Sequence, residues 1–337
     1  MNPKLKKIFS WVIVYPLMII LCFEIALRIL GYGGYHNENY SISAEPANAF
    51  VGDARYGIKL NPGTYEITLN NKVSFSTTHD QNNRRIVSDE SYQDADIIFL
   101  GCSFTYGYGV DNDECFPSLI QQELSSEVVS NFGVPGYGTI QSLLQLQEYL
   151  KEHSPSLVLL NFSSLHFMRN TLSQEFRSNL RIGYRHSSKD VDTRLEKARF
   201  PYMRECGTEV KYVSWKEMYT NWPGRDWSAS VNWMQSLIDR YKDEGLNSLK
   251  VSACIIEEMN VICREKGVGF GIVFLDSTPE VNQLKEMLEG ISTLDMKFDF
   301  KSSKYTNLPY DSHPNQKGNK LIASRIIPFI DDLISNE

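Results

Sequence analysis

The sequence predicts a three-layer α/β sandwich on a central parallel sheet, preceded by a transmembrane helix. Three observations predict it: an apolar run near the amino terminus, short apolar segments alternating with helix-periodic ones from residue 96 onward, and the return of that alternation in the last part of the chain. The 337 residues, 42% of them hydrophobic, are ample for a large core. A net charge of −7 without any long Lys/Arg run excludes a concentrated phosphate-binding face, so nucleic acid is not an expected partner.

The apolar run is Ile8 to Phe23, preceded by Lys4, Lys6 and Lys7. It spans about 24 Å as a helix, and continuation to Leu30 brings it past the ~30 Å of a bilayer core. Glu24 and Arg28 stand four apart and can pair near the interface. A cleaved signal peptide would want a small-x-small site after the run, and lipid attachment at Cys22 would want small residues in place of Ile20 and Leu21. A retained anchor fits better. The lysines before it predict a cytoplasmic amino terminus and an extracytoplasmic remainder, in the periplasm or at the cell surface of a bacterial envelope. Such a compartment permits disulfides among Cys102, Cys115, Cys206, Cys254 and Cys263, but the spacing selects none, and small buried hydrophobes are an equal reading.

The chain divides into an anchor (residues 1–30), a linker and irregular strand-containing cap (31–95), and an α/β domain (96–337). Within the domain the predicted order is strand 96–100, helix 116–124, strand 128–132, helix 139–153 and strand 157–162. It resumes with helix 246–266, strand 270–275, helix 279–288, a strand near 291–296 and a helix over 316–334. Strands separated by helices imply a parallel sheet covered on both faces. Residues 166–245 lack this pattern and hold Trp215, Trp222, Trp227 and Trp233, whose rings either stack on sugars or build a local core.

Two segments carry chemistry. The glycine-bounded turn Gly101-Cys102-Ser103-Phe104-Thr105-Tyr106-Gly107 follows the first strand, where open α/β sheets place their ligands. Near the other end, Asp311 and His313 precede the last helix in Tyr310-Asp311-Ser312-His313-Pro314-Asn315. A serine hydroxyl hardly ionises at neutral pH, so it needs an imidazole base held in one tautomer by a carboxylate. Taken singly, each segment also reads as an ordinary turn or helix cap.

Together these segments resemble the SGNH (GDSL-type) hydrolase superfamily, over residues 96–165 and 246–335. The resemblance implies a flavodoxin-like fold with Ser103, His313 and Asp311 as the catalytic triad. It also assigns oxyanion donation to the backbone N–H groups of Ser103 and Gly136, the latter in Asn131-Phe132-Gly133-Val134-Pro135-Gly136 after the second strand. Two departures stand out. Leu165 occupies the position of the family's third, asparagine donor, leaving Asn161, His166 and Arg169 as candidate substitutes or substrate contacts. A single residue separates Asp311 from His313, so Asp299 is an alternative carboxylate. His36, His79, His153 and His186 have no ligand-like partners, and neither a metal site nor a cofactor motif is expected.

The anchor and cap are similar to those of membrane-attached members that act on cell-surface polysaccharides, of which the alginate acetylation proteins are distant relatives. The resemblance therefore implies a serine esterase or O-acyltransferase acting on acyl, above all acetyl, esters of an envelope or exported glycan, with polysaccharide-assembly proteins as partners. Two alternatives stay open: a glycan-binding or assembly protein that has lost catalysis, and a lipid or small-molecule esterase.

Overall fold

The computed structural model describes residues 3–35, 41–88, 94–185 and 191–335. The chain forms two compact units, Met1–Glu38 with Tyr219–Gly245, and Asn39–Met218 with Leu246–Glu337. Its elements begin with α1 (Pro3–Phe9), a π-helical turn and α2 (Tyr15–Ile29), then the strands β1 (Ile42–Glu45), β2 (Phe50–Asp53), β3 (Gly57–Leu60), β4 (Gly63–Leu69) and β5 (Val73–His79). There follow β6 (Ile97–Leu100), α3 (Ser103–Tyr106), α4 (Phe116–Glu123), β7 (Val129–Asn131), α5 (Thr139–Tyr149), β8 (Leu157–Phe162), α6 (Leu165–Asn170), α7 (Gln174–Arg185) and α8 (Val191–Arg194). The remainder is β9 (Arg199–Tyr202), β10 (Lys211–Ser214), α9 (Ala229–Glu244), α10 (Ser248–Glu265), β11 (Gly269–Phe274), α11 (Pro279–Met287), β12 (Ser292–Asp295) and α12 (Gln316–Ser335).

In the first unit, Lys7–Ile29 is a helix of 23 residues, long and apolar enough to cross a membrane. The side chains of its apolar stretch are exposed in the protein alone, as lipid-facing ones would be. α9 belongs to the same unit.

The second unit holds a five-stranded sheet in the order β12-β11-β8-β6-β7, every pair parallel. Counted along the chain this is the 2-1-3-4-5 order of flavodoxin-like folds, whose switch point lies between β6 and β8. Alternation along the strands sends Ile98, Leu100, Val158 and Leu160 to one face, where α5 and α10 supply Ile140, Leu143, Ile255 and Ile256. Ile97, Phe99, Leu157 and Leu159 face the other side, against Phe116 and Ile120 of α4 and Ile322 and Ile326 of α12. Burial of both faces is why these strands read as unbroken apolar runs.

The region before the sheet is more regular than an irregular cap. β4 pairs antiparallel with both β1 and β5, and β2 pairs with β3. Asn70 and Asn71, both at positive φ, turn β4 into β5, a conformation asparagine tolerates better than most residues. The tryptophan-rich segment is shared between the two units. Trp215 is buried in the second unit against Phe200. Trp222, Trp227 and Trp233 lie in the first, where Trp233 meets Phe23 edge to face.

Cys206 and Cys254 form a disulfide joining the segment after β9 to α10, while Cys102, Cys115 and Cys263 are buried free thiols. Burial pushes the Cys263 thiol up to about 12. The bridge closes a sequence separation of 48 residues, worth about 4 kcal/mol in unfolded-state entropy. The C206S/C254S variant is therefore expected to lose unfolding free energy of that order and to unfold at a lower denaturant midpoint, whereas an unchanged midpoint would mean that the bridge contributes nothing.

Candidate active site

The site lies at the carboxyl ends of β6 and β8, where the strand order reverses. Ser103 follows β6 directly, as the first residue of α3. The turn demands glycine at Gly101: its φ is +155°, and a Cβ there would come within 2.2 Å of Thr105 Oγ1. Gly133 is required for approach, since a Cβ would meet Tyr106 N at 2.3 Å. Asn131 fastens the two loops together, its side chain donating to Thr105 O and accepting from Gly133 N.

The loop before α12 brings the imidazole. Nε2 of His313 lies 2.8 Å from Ser103 Oγ, and Nδ1 lies 2.7 Å from Asp311 Oδ1. A carboxylate only accepts, so Nδ1 carries the proton and Nε2 is left to accept from the serine hydroxyl. Asp311 Oδ1 also accepts from the His313 backbone N–H at 2.8 Å, fixing the carboxylate to the ring it orients. Asp299 instead accepts from Lys301 N in its own turn. The His313 ring is flanked by Phe104 and Tyr108 at 5.2 and 5.0 Å between centroids. Asn307 ties the two loops, its backbone N–H donating to His313 O and its amide to Gly109 O.

Ser103, His313 and Asp311 open into a cavity of about 560 Å³ that also includes Gly136. Gly136 has φ +86°, while the space beside it is open, the nearest obstacle to a Cβ being 3.8 Å away, so conformation and not crowding calls for glycine. Among the described residues no partner takes the N–H of Ser103 or of Gly136. The walls are largely apolar, with Ile42, Ala44 and Phe50 from the cap and Leu165, Met168, Phe176 and Leu180 from α6 and α7.

Of the three candidates for the missing donor, only Arg169 reaches the cavity. Its Nη1 donates to Tyr137 O at 2.9 Å, in the loop that carries Gly136. Asn161 is fully buried and donates to Leu100 O within the sheet. His166 is fully buried, with Nδ1 at 3.2 Å from Thr139 Oγ1 and its ring against Phe162, and burial holds its basicity well below the ordinary imidazole value. Leu165 lies on the cavity wall itself. Trp215, the tryptophan of the 166–245 segment in the second unit, is buried against Phe200 and builds local core, the other of the two readings. His153 meets Asp94 at the surface, and His36 and His186 lie outside the described residues.

Sequence reasoning missed Arg85. It is 1% exposed, and its guanidinium donates to the carbonyls of Tyr106, Gly107 and Val110 and to Asn112 Oδ1, closing the loop that follows Ser103. The only available signal was the Arg84-Arg85 pair at the end of the cap. His79 supports the same loop. Its Nδ1 faces Asn61 O, so that nitrogen donates and Nε2 accepts from the Tyr106 hydroxyl at 2.8 Å.

No family model and no curated protein matches the chain. Distant similarity to solved structures is found. A psychrotrophic esterase from Pseudoalteromonas sp. is 14% identical over 71% of this chain and 98% of that one, with a TM-score of 0.39. A GDSL-like lipase from Bacteroides thetaiotaomicron is 11% identical over 70% and 87%, at 0.35. An acetylxylan esterase from Geobacillus stearothermophilus, solved as a catalytic mutant, is 10% identical over 69% and 93%, at 0.36. Similarity at this level says nothing about what this chain acts on, which has to be read from its own side chains.

Burial lowers the pKa of His79 to about 4, with the nearby Arg85 charge acting in the same direction. Unfolded, the ring titrates near 6.5. Above that pH both states are neutral and stability is independent of this group. Between about 6.5 and 4 the unfolded chain takes up a proton that the folded protein refuses, so stability falls as pH falls. The loss is about 2 kcal/mol at pH 5, at ~1.4 kcal/mol per pH unit. Denaturant midpoints measured from pH 7.5 to 5 should therefore decline more steeply for the parent than for His79→Gln; parallel curves would contradict the assignment.

Proposed function

We propose that this protein is a serine esterase or O-acyltransferase acting through an acyl-serine intermediate on acyl esters of an envelope or exported glycan. The observation that carries the reading is the chain of hydrogen bonds from Ser103 Oγ through His313 to Asp311. In the proposed reaction Nε2 takes the serine proton as Oγ attacks the ester carbonyl. The backbone N–H groups of Ser103 and Gly136 receive the oxyanion, and the imidazolium returns its proton to the leaving alcohol. Water then releases the acid, or a sugar hydroxyl accepts the acyl group. An intact triad favours catalysis over the binding-only alternative. The disulfide accords with an extracytoplasmic, oxidising compartment and with an amino terminus held in the cytoplasm by α2.

Ser103→Ala should remove ester turnover and labelling by a fluorophosphonate while leaving thermal unfolding unchanged. Asp311→Asn, which presents the wrong tautomer, should lower kcat by about 10³ to 10⁴. Full turnover by the alanine variant would dismiss this serine as nucleophile. Incubation with a labelled acyl donor and an oligosaccharide separates transfer, which labels the sugar, from hydrolysis, which yields only free acid.

The apolar walls favour a second reading, an ester with a longer acyl chain than acetyl. An acetyl group uses little of a cavity of about 560 Å³. Each buried methylene contributes about 0.8 kcal/mol, or roughly fourfold in kcat/KM where the contact persists in the transition state. Across p-nitrophenyl esters from acetate to octanoate, kcat/KM should climb over several carbons if the walls bind the acyl chain. A maximum at acetate would return the choice to acetyl esters.

A further inference from the structure

The first unit carries an apolar surface that the proposed chemistry does not use. α9 is joined to α2 by an unusual cap. The Glu24 carboxylate of α2 accepts from the backbone N–H groups of Ala229 and Ser230 at 2.9 and 2.8 Å, and from the hydroxyls of Ser228 and Ser230. Glu24 thus satisfies amide groups that the first turn of a helix leaves without partners. Arg28 completes the junction, pairing with Glu24 at 2.7 Å and donating to Trp227 O at 2.6 Å. These contacts fix the start of α9 at the level of residue 24, five residues or about 8 Å below the end of α2 at Ile29. Because Ile8 to Phe23 occupy about 24 Å of a ~30 Å hydrocarbon core, that level lies about 6 Å inside the boundary between acyl chains and headgroups, close to the interface.

From this point α9 presents Met234, Leu237, Ile238 and Tyr241 as exposed side chains, with Trp227 exposed just before the helix. The spacing i, i+3, i+4, i+7 puts the four helical residues in one stripe. Asp239, Arg240, Lys242 and Asp243 fall outside it. Ser230, which bonds Glu24, projects on the same side as the stripe. The helix face that meets α2 at its first turn is therefore the face that continues as apolar surface.

We propose that α9 is a second membrane-contact element, lying along the interface of the leaflet where α2 emerges, with this stripe against lipid. The proposal rests on α2 spanning the bilayer. Continuity with α2 and the placing of Trp227 and Tyr241 at the stripe's ends favour lipid as the occupant, since both ring types concentrate at the headgroup level. The charges Asp239, Arg240, Lys242, Asp243 and Glu244 sum to −1, so the contact is apolar and does not need anionic lipid. Attachment to α2 supplies the proximity that a short, uncharged stripe would otherwise lack.

The test uses the full chain, with Cys22→Ser to remove the exposed thiol, in phosphatidylcholine vesicles. Nitroxide labels are placed singly at I19C in α2, at L237C and Y241C on the stripe, and at D243C outside it. Collisions with dissolved oxygen and with a water-soluble nickel chelate are then compared by electron paramagnetic resonance. The proposal requires oxygen to dominate at 19, 237 and 241 and the chelate to dominate at 243. Chelate access at 237 and 241 with oxygen dominant at 19 would overturn the interfacial helix while leaving the anchor standing. Chelate access at 19 would overturn both. Protection of 237 and 241 from both reagents would show that a second protein surface covers the stripe, and would overturn the lipid assignment.

Discussion

The hydrogen bond between Ser103 Oγ and His313 Nε2 joins groups 210 residues apart, and the rest of the site depends on holding that 2.8 Å separation. Two flexible loops could not do so without a large loss of entropy on ordering. Here each loop is fixed by buried backbone groups. The serine turn is seated by Gly101 and Gly133, where side chains would collide, and by the Asn131 amide. The histidine loop is held by asparagines: Asn315 bonds Thr306 O and Gly318 N, and Asn319 bonds Pro314 O while accepting from Phe116 N of α4. Small amides with both donor and acceptor capacity complete the irregular backbone that a site between strand ends requires.

Arg85 gives the cap a part in the same arrangement. Burying a guanidinium costs several kcal/mol unless its donors are satisfied. Three carbonyls and the Asn112 amide oxygen meet that need, and the Tyr106 ring lies 4.8 Å beneath the charge. Those carbonyls belong to the loop following the nucleophile, so losing either partner would leave the other unsatisfied in the interior. His79 extends the support through the Tyr106 hydroxyl, which is also in contact with Thr77. The cap strands therefore belong to the second unit and to its site, supplying wall as well as support.

The sheet was legible because its central strands, buried on both faces, are apolar at nearly every position, and the observed strands begin and end within a residue or two of the runs that predicted them. The meeting of Ser103, His313 and Asp311 was legible because serine, histidine and aspartate in two distant loops form a chemically specific combination. The cap was less so: its strands are short and alternate, and the Asn70-Asn71 turn between β4 and β5 lacks the glycine that would have marked a hairpin. Around the missing donor, adjacency in sequence misled. α6 turns about 100° per residue, so Leu165, Met168 and Arg169 share the cavity face while His166 turns into the core. His166 could have been set aside from helical spacing alone, had the start of α6 been known.

That geometry also bears on how the proposed site works with two oxyanion donors in place of three. An absent donor is worth about 10² to 10³ in rate, or roughly 3 to 4 kcal/mol. Leu165 supplies no hydrogen bond but adds apolar wall where an acyl chain would lie. At about 0.8 kcal/mol per buried methylene, four or five methylenes held against this wall in the transition state offset the missing donor in kcat/KM. An acetyl group, with no methylene to bury, recovers none of it. Under the same proposal Arg169, by bonding Tyr137 O, would restrain the loop that carries Gly136 and so limit the reorganisation needed when charge develops. Under the proposed acyl-serine chemistry, the apolar wall at Leu165 therefore favours an acyl group long enough to reach it.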